Sequence, residues 1–142
     1  MKEGITMKMK VSILLVIVLL MALLFAGCGA TKDNSAISKQ AMNDYYTYYN
    51  DGQLDSWMTI IHPALQDALG GTQATEDLFN ARHEFYGNVT EYEIKQTGFE
   101  TVNGESEFYY TVTTKYQSGD EFEETFAMFV TDGVAQIITI KV

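Results

Sequence analysis

Apolar residues follow three different rhythms along this chain. Val11 to Ala26 (VSILLVIVLLMALLFA) is an unbroken apolar run. From Ser35 to Tyr86 they recur every three to four positions, the period of a helix with one buried face. From Val89 onward they alternate with polar residues, the period of a strand. The pattern predicts a leader, then helices, then strands.

Within the helical stretch, the spacing predicts a first helix over Ser35 to Asn50. Ile37, Ala41, Met42, Tyr45, Tyr46, Tyr48 and Tyr49 fall on one side, and Lys39, Gln40, Asn43, Asp44, Thr47 and Asn50 on the other. Ser35 suits its start and Gly52 its end. The tyrosine stripe suits a core face whose hydroxyls reach water or a partner. A second helix is predicted over Leu54 to Ile61, with Leu54, Trp57, Met58 and Ile61 on one face. His62-Pro63 stops it, because a residue before proline avoids the helical region. Ala64 to Leu69 adds a turn before Gly70-Gly71. A third helix is predicted over Thr75 to Tyr86, closed by Gly87. Its apolar arc is Leu78, Phe79, Ala81, Phe85 and Tyr86, with Arg82 in the middle and His83 at the edge.

Turn signals at Asn103-Gly104, Ser118-Gly119-Asp120 and Asp132-Gly133 divide the remainder into four strands. These are Val89 to Thr101, Glu105 to Tyr116, Glu121 to Thr131 and Val134 to Val142. Short connections make them an antiparallel meander. Strands this long curl or bulge, and the helices are available to fill the concavity. The predicted class is α+β, with N-terminal helices packed on a curved four-stranded meander.

Charge and the lone cysteine place this domain. Lys2, Lys8 and Lys10 precede the apolar run, which at 16 residues is shorter than the roughly 20 that cross a bilayer comfortably. It reads as a secretory signal; an uncleaved anchor is the competing reading. Leu24-Phe25-Ala26-Gly27-Cys28 resembles a bacterial lipobox, with phenylalanine where leucine is usual three places before the cysteine. That resemblance implies cleavage between Gly27 and Cys28, and a diacylglyceryl and palmitate anchor on Cys28. Two acyl chains hold stably where one is marginal. The expected organisation is a signal peptide over 1–27, lipidated cysteine and tether over 28–34, and a domain over 35–142. The expected location is the bacterial cell membrane, outside the cytoplasm. Of nine basic and nineteen acidic residues, the leader holds three and one. The mature part therefore carries six against eighteen, a net charge of −12. That excludes nucleic acid as a natural partner, since phosphates require a basic surface.

The tyrosine helix ending at Asn50-Asp51-Gly52, then LDSWMTIIHP, then strands FYYTVTTKY, EFEETFAMFVTDG and VAQIITIKV resemble the nuclear-transport-factor-two-like (SnoaL-like) cone. A cystatin-like arrangement is the near alternative. The cone usually has a hairpin between its second and third helices, for which Leu69 to Thr75 is short. The resemblance covers Ser35 to Val142 and implies a pocket between helices and sheet. In enzymes of that fold an aspartate or histidine inside acts as base. No local motif transfers those residues individually.

Candidate chemistry therefore rests on placement. Phe108, Tyr110, Val112, Thr114 and Tyr116 share one strand face, and Phe122, Glu124, Phe126, Met128 and Val130 share the next. Glu124 and Arg82 thus interrupt apolar faces, and a buried charge must be paired or shift its pKa. Either they meet at the pocket, or Arg82 snorkels outward and a bulge turns Glu124 to solvent. The candidate pocket residues are Tyr45, Trp57, Arg82, His83, Tyr110 and Glu124. His83 beside Glu84 suits the surface better than an acid–base pair, and His62 is a helix-end residue. Two histidines give no zinc site, and Asp120, Glu121, Glu123 and Glu124 lack calcium-loop spacing. No cofactor is expected. The first reading is a non-catalytic, membrane-tethered lipoprotein that binds an unidentified small ligand or an envelope partner. The alternate sheet face (Tyr109, Thr111, Thr113, Lys115, Thr125, Phe129) is a surface for such a partner or for a homodimer. The rival is an isomerase- or hydrolase-like pocket enzyme using Arg82, Glu124, Asp77 or His83. An assembly role without a ligand is the third.

Overall fold

The structure, a computed structural model, describes residues 33–142. The expected leader, Cys28 and the expected tether up to residue 32 lie outside the described residues. Four helices come first: α1 over residues 33–50, α2 over Leu54–Ile60, α3 over Pro63–Ala68 and α4 over Thr72–Tyr86. Four strands follow: β1 Val89–Val102, β2 Glu105–Tyr116, β3 Glu121–Thr131 and β4 Val134–Lys141. They form one antiparallel sheet in the order β1-β2-β3-β4, so the predicted α+β class and meander are what the chain adopts. Among the described residues no helix is long and apolar enough to cross a membrane.

The turns follow from their residues. Asn103 and Gly104 both have positive φ (51° and 82°), as do Asp132 and Gly133 (51° and 77°). Two consecutive positive φ values are what a two-residue hairpin of matching twist requires. Register shifts between Val89 and Glu91 and between Gln96 and Gly98 break the β1–β2 ladder, and a third lies in β3–β4 between Ala127 and Met128. These irregularities let strands of eight to fourteen residues bend around the helices.

Several boundaries differ from the pattern-based expectation. α1 is already helical at residue 33, so Ser35 does not cap it. Ser35 instead donates its Oγ–H to Gln96 Oε1 at 3.4 Å. α4 begins three residues before Thr75, at Thr72. Gly71 has a φ of 100° that favours glycine, and Thr75 donates its hydroxyl to the Gly71 carbonyl at 2.9 Å. The turn after His62 is a defined helix, with Pro63 in its first turn and His62 Nδ1 accepting from the Ala64 N–H at 3.1 Å. α2 ends at Ile60 because Ile61 leaves the helix to bridge Ile137, and the His62 N–H donates to the Ile137 carbonyl at 2.9 Å. That corner lies over β4, an otherwise open sheet edge. No hairpin stands between α2 and α4; α3 occupies that place.

The core lies between α1 and the inner sheet face. Met42, Tyr45, Tyr46 and Tyr49 meet Phe108, Tyr110, Val112, Phe126 and Met128, all buried. Ile37, Ala41 and Tyr48 flank this stripe, half-buried.

Candidate functional site

Strand alternation turns Glu124 inward together with Phe126 and Met128, and no bulge turns it back out. Its side chain is 0% exposed. Across from it, Arg82 rises from the half-buried side of α4 rather than snorkelling to water. Arg82 Nη2 donates to Glu124 Oε1 at 2.7 Å, and Tyr46 donates its hydroxyl to Oε2 at 3.1 Å. The carboxylate therefore has a donor on each oxygen. Arg82 Nη1 also donates to the Tyr45 hydroxyl at 3.3 Å, and Nη2 to the Tyr116 hydroxyl. The guanidinium carbon lies 5.9 Å and 5.7 Å from the Tyr49 and Tyr116 ring centres, within cation–π range.

Four tyrosines thus surround one ion pair. Burial pushes the hydroxyls of Tyr45, Tyr46, Tyr49 and Tyr116 above the ordinary tyrosine range. At Tyr46 the Glu124 charge raises it further, while at Tyr45 Arg82 pulls the other way without cancelling burial. For Arg82, burial disfavours the charge, but the oxygens of Tyr45, Glu124 and Tyr116 outweigh it, and the net direction is upward. The guanidinium stays cationic and the tyrosines stay protonated at physiological pH.

Outside this pair lies a cavity of about 420 Å³, walled by α2, α3, α4 and the ends of β3 and β4. Trp57 and Ile61 supply one side, Leu65 and Leu69 another, and Leu78, Ala81 and Phe85 a third; Tyr45, Arg82, Tyr86, Phe122, Ile140 and Val142 complete it. Among the described residues, no aspartate, glutamate or histidine side chain is in the wall. At the rim, Phe85 is 74% exposed and Leu78 41%. Leu69, also in the wall, is 39% exposed.

The predicted pocket residues divide. Tyr45, Trp57 and Arg82 are in the wall. Glu124 sits behind Arg82, bonded to it but not in the wall. Tyr110 is away from the cavity, buried, with its hydroxyl paired to that of Ser38. His83 also misses the cavity, and it is not a free surface residue: its ring packs 4.9 Å from that of Tyr49, with Nε2 3.0 Å from the Tyr49 carbonyl oxygen. Asp77 is exposed and accepts from Gln73 at 3.0 Å. On the outer sheet face Thr113, Lys115 and Thr125 are exposed, while Tyr109, Thr111 and Phe129 are half-buried. Among the described residues no three His, Cys, Asp or Glu side chains converge as metal ligands do.

Sequence reasoning missed Leu65, Leu69, Leu78, Phe85 and Phe122 as wall residues. Leu78 and Phe85 were legible as apolar positions on α4, but not as the ones left uncovered. Tyr46 and Tyr116 were seen as face residues and not as partners of the ion pair. Ser38 was missed, although it stands four residues before Met42 on the same buried face.

Comparison with solved structures finds an NTF2-like protein of unknown function from Burkholderia pseudomallei, with a TM-score of 0.36 at 14% sequence identity, covering 73% of this chain and 87% of that one. No protein-family model matches the sequence, and no curated protein matches it.

Proposed function

We propose that this chain is a membrane-tethered bacterial envelope lipoprotein whose domain binds a small, largely apolar molecule without transforming it. The observation that carries the binding part is the composition of the cavity wall. It is apolar almost throughout, its volume is within the roughly 300–1,000 Å³ of small-molecule sites, and its single cation is already matched by Glu124. A general base must reach the proton it removes, and among the described residues no carboxylate or imidazole side chain is in that wall. The tether rests on the lipobox-like Leu24 to Cys28.

Two experiments test this reading. Trp57 is the sole tryptophan of the chain and lies in the cavity wall, so its fluorescence reports occupancy directly. A library of small apolar compounds is expected to yield ligands that shift Trp57 emission, and Leu78→Glu at the exposed rim is expected to abolish the shift. A library without binders, or a shift indifferent to Leu78→Glu, removes the cavity from the function. Separately, cells fed an alkynyl palmitate are expected to label the wild-type chain and not Cys28→Ser. Equal labelling refutes the anchor.

A further inference from the structure

The polar groups of the cavity wall are few, and Arg82 is the one with donors to spare. A guanidinium carries five N–H donors. Three are taken by Tyr45, Tyr116 and Glu124, each no more than 2% exposed. The other two have no acceptor among the described residues. The Arg82 side chain is 17% exposed and forms part of the wall; both Nη2 hydrogens are taken, which leaves Nε–H and one Nη1–H as the donors a molecule in the cavity could meet. Trp57 Nε1 also has no partner among the described residues, but that atom is itself covered.

We infer that the cavity selects neutral, mostly apolar molecules bearing one acceptor oxygen, such as a ketone, ester or amide carbonyl, which seats on Arg82. This rests on the ligand-binding reading above. A hydrocarbon would strip water from the free N–H groups and give nothing back, which a site with polar donors resists. A carboxylate would share one guanidinium with Glu124 inside apolar walls, placing two negative charges on one positive charge. The net charge of −12 over residues 28–142 opposes an anion further. A cationic head would find no acidic side chain in the wall. A neutral carbonyl meets none of these costs.

The test uses the full chain in lipid nanodiscs, with empty nanodiscs as blank, and three probes of similar shape: propylbenzene, propiophenone and phenylacetate. Binding is read by calorimetry at pH 7. Phenylacetate is expected to bind at least about tenfold more weakly than propiophenone. In the double variant Arg82→Met/Glu124→Gln, which removes the donors and the opposing charge together, propiophenone is expected to weaken about tenfold and propylbenzene less than about twofold. If none of the probes binds, the ligand-binding reading itself falls. If propylbenzene binds and the double variant leaves propiophenone unchanged, that reading stands and Arg82 selection is overturned. Phenylacetate binding as tightly as propiophenone overturns it as well. The comparison on the wild-type chain decides the matter even where the double variant does not fold.

Discussion

Replacing Arg82 by methionine keeps a flexible unbranched stem, shorter than that of arginine, and removes the cation bonded to Glu124. Glu124 is 0% exposed, so its charge is then buried without a match. Breaking a buried pair costs about 3–5 kcal/mol. Arg82 retains 17% exposure, which places the expected cost near the low end, about 3 kcal/mol. Glu124→Gln is the mirror experiment. Its amide oxygen still accepts one bond, and the stranded Arg82 charge has some access to water, so about 2 kcal/mol is expected. The double variant strands no charge. Tyr45 and Tyr116 each lose a donor, and at about 1 kcal/mol per neutral bond the total is about 2 kcal/mol. The singles therefore sum to about 5 kcal/mol and the double costs about 2, a coupling of about 3 kcal/mol, at the upper end of what contacting residues show. Urea unfolding followed by circular dichroism measures all four chains. For a domain near a hundred residues, the Arg82→Met loss also lowers Tm by roughly 12 °C. If the double variant costs the sum of the singles to within about 0.5 kcal/mol, the two residues do not act as a unit and the reasoning fails.

Three further expectations concern the pair's tyrosines and the rest of the core. The four tyrosines around the pair, raised by burial, hold protons in the folded state that the unfolded chain releases near pH 10, so their contribution to stability is complete below about pH 9 and is lost as pH rises. Absorbance at 295 nm should therefore show part of the nine-tyrosine signal rising only with alkaline unfolding; smooth ionisation of all nine in a folded chain contradicts it. Gly87→Ala is expected to cost about 1–3 kcal/mol, since Gly87 has φ 70° and ψ −156°, and an added Cβ would lie 2.6 Å from Gln117 Oε1; an unchanged urea midpoint would show that the turn relaxes freely. Ser38→Ala leaves the buried Tyr110 hydroxyl without its Ser38 partner and should cost about 1–3 kcal/mol, while Ser38→Ala/Tyr110→Phe should recover part of that loss; no recovery would mean the bond contributes nothing.

The sheet was legible because each of its rules is local. Alternation fixed which residues face inward, and Asn103-Gly104 and Asp132-Gly133 marked hairpins by the conformations those residues tolerate. β2 and β3 therefore begin and end where the pattern places them. Helix starts were less legible. Ser35 and Thr75 suit first positions, yet both lie inside helices, where their hydroxyls bond Gln96 and the Gly71 carbonyl instead. Arg82 and Glu124 stood out because each interrupts an apolar face. The cavity did not, because its wall depends on how far α3 stands from α4. Leu65, Leu69, Leu78 and Phe85 carry the same local pattern whether another element covers them or not.

The arrangement of the pair favours binding over proton transfer. A carboxylate serves as base when an oxygen with a free lone pair faces the substrate. Glu124 has a donor on each oxygen, Arg82 on one and Tyr46 on the other, and Arg82 stands between it and the cavity. To take a proton, it would have to give up a 2.7 Å charge-assisted bond inside the core. Tyr45 and Tyr116, the hydroxyls bonded to Arg82, are poor acids here because burial holds their protons on. What the pair offers the cavity is a cation bonded to Glu124 and two tyrosine hydroxyls that keeps its proton, with its charge matched from behind. That is the equipment of a fixed hydrogen-bond donor: it orients a neutral oxygen, holds it, and leaves the rest of the molecule to the apolar walls.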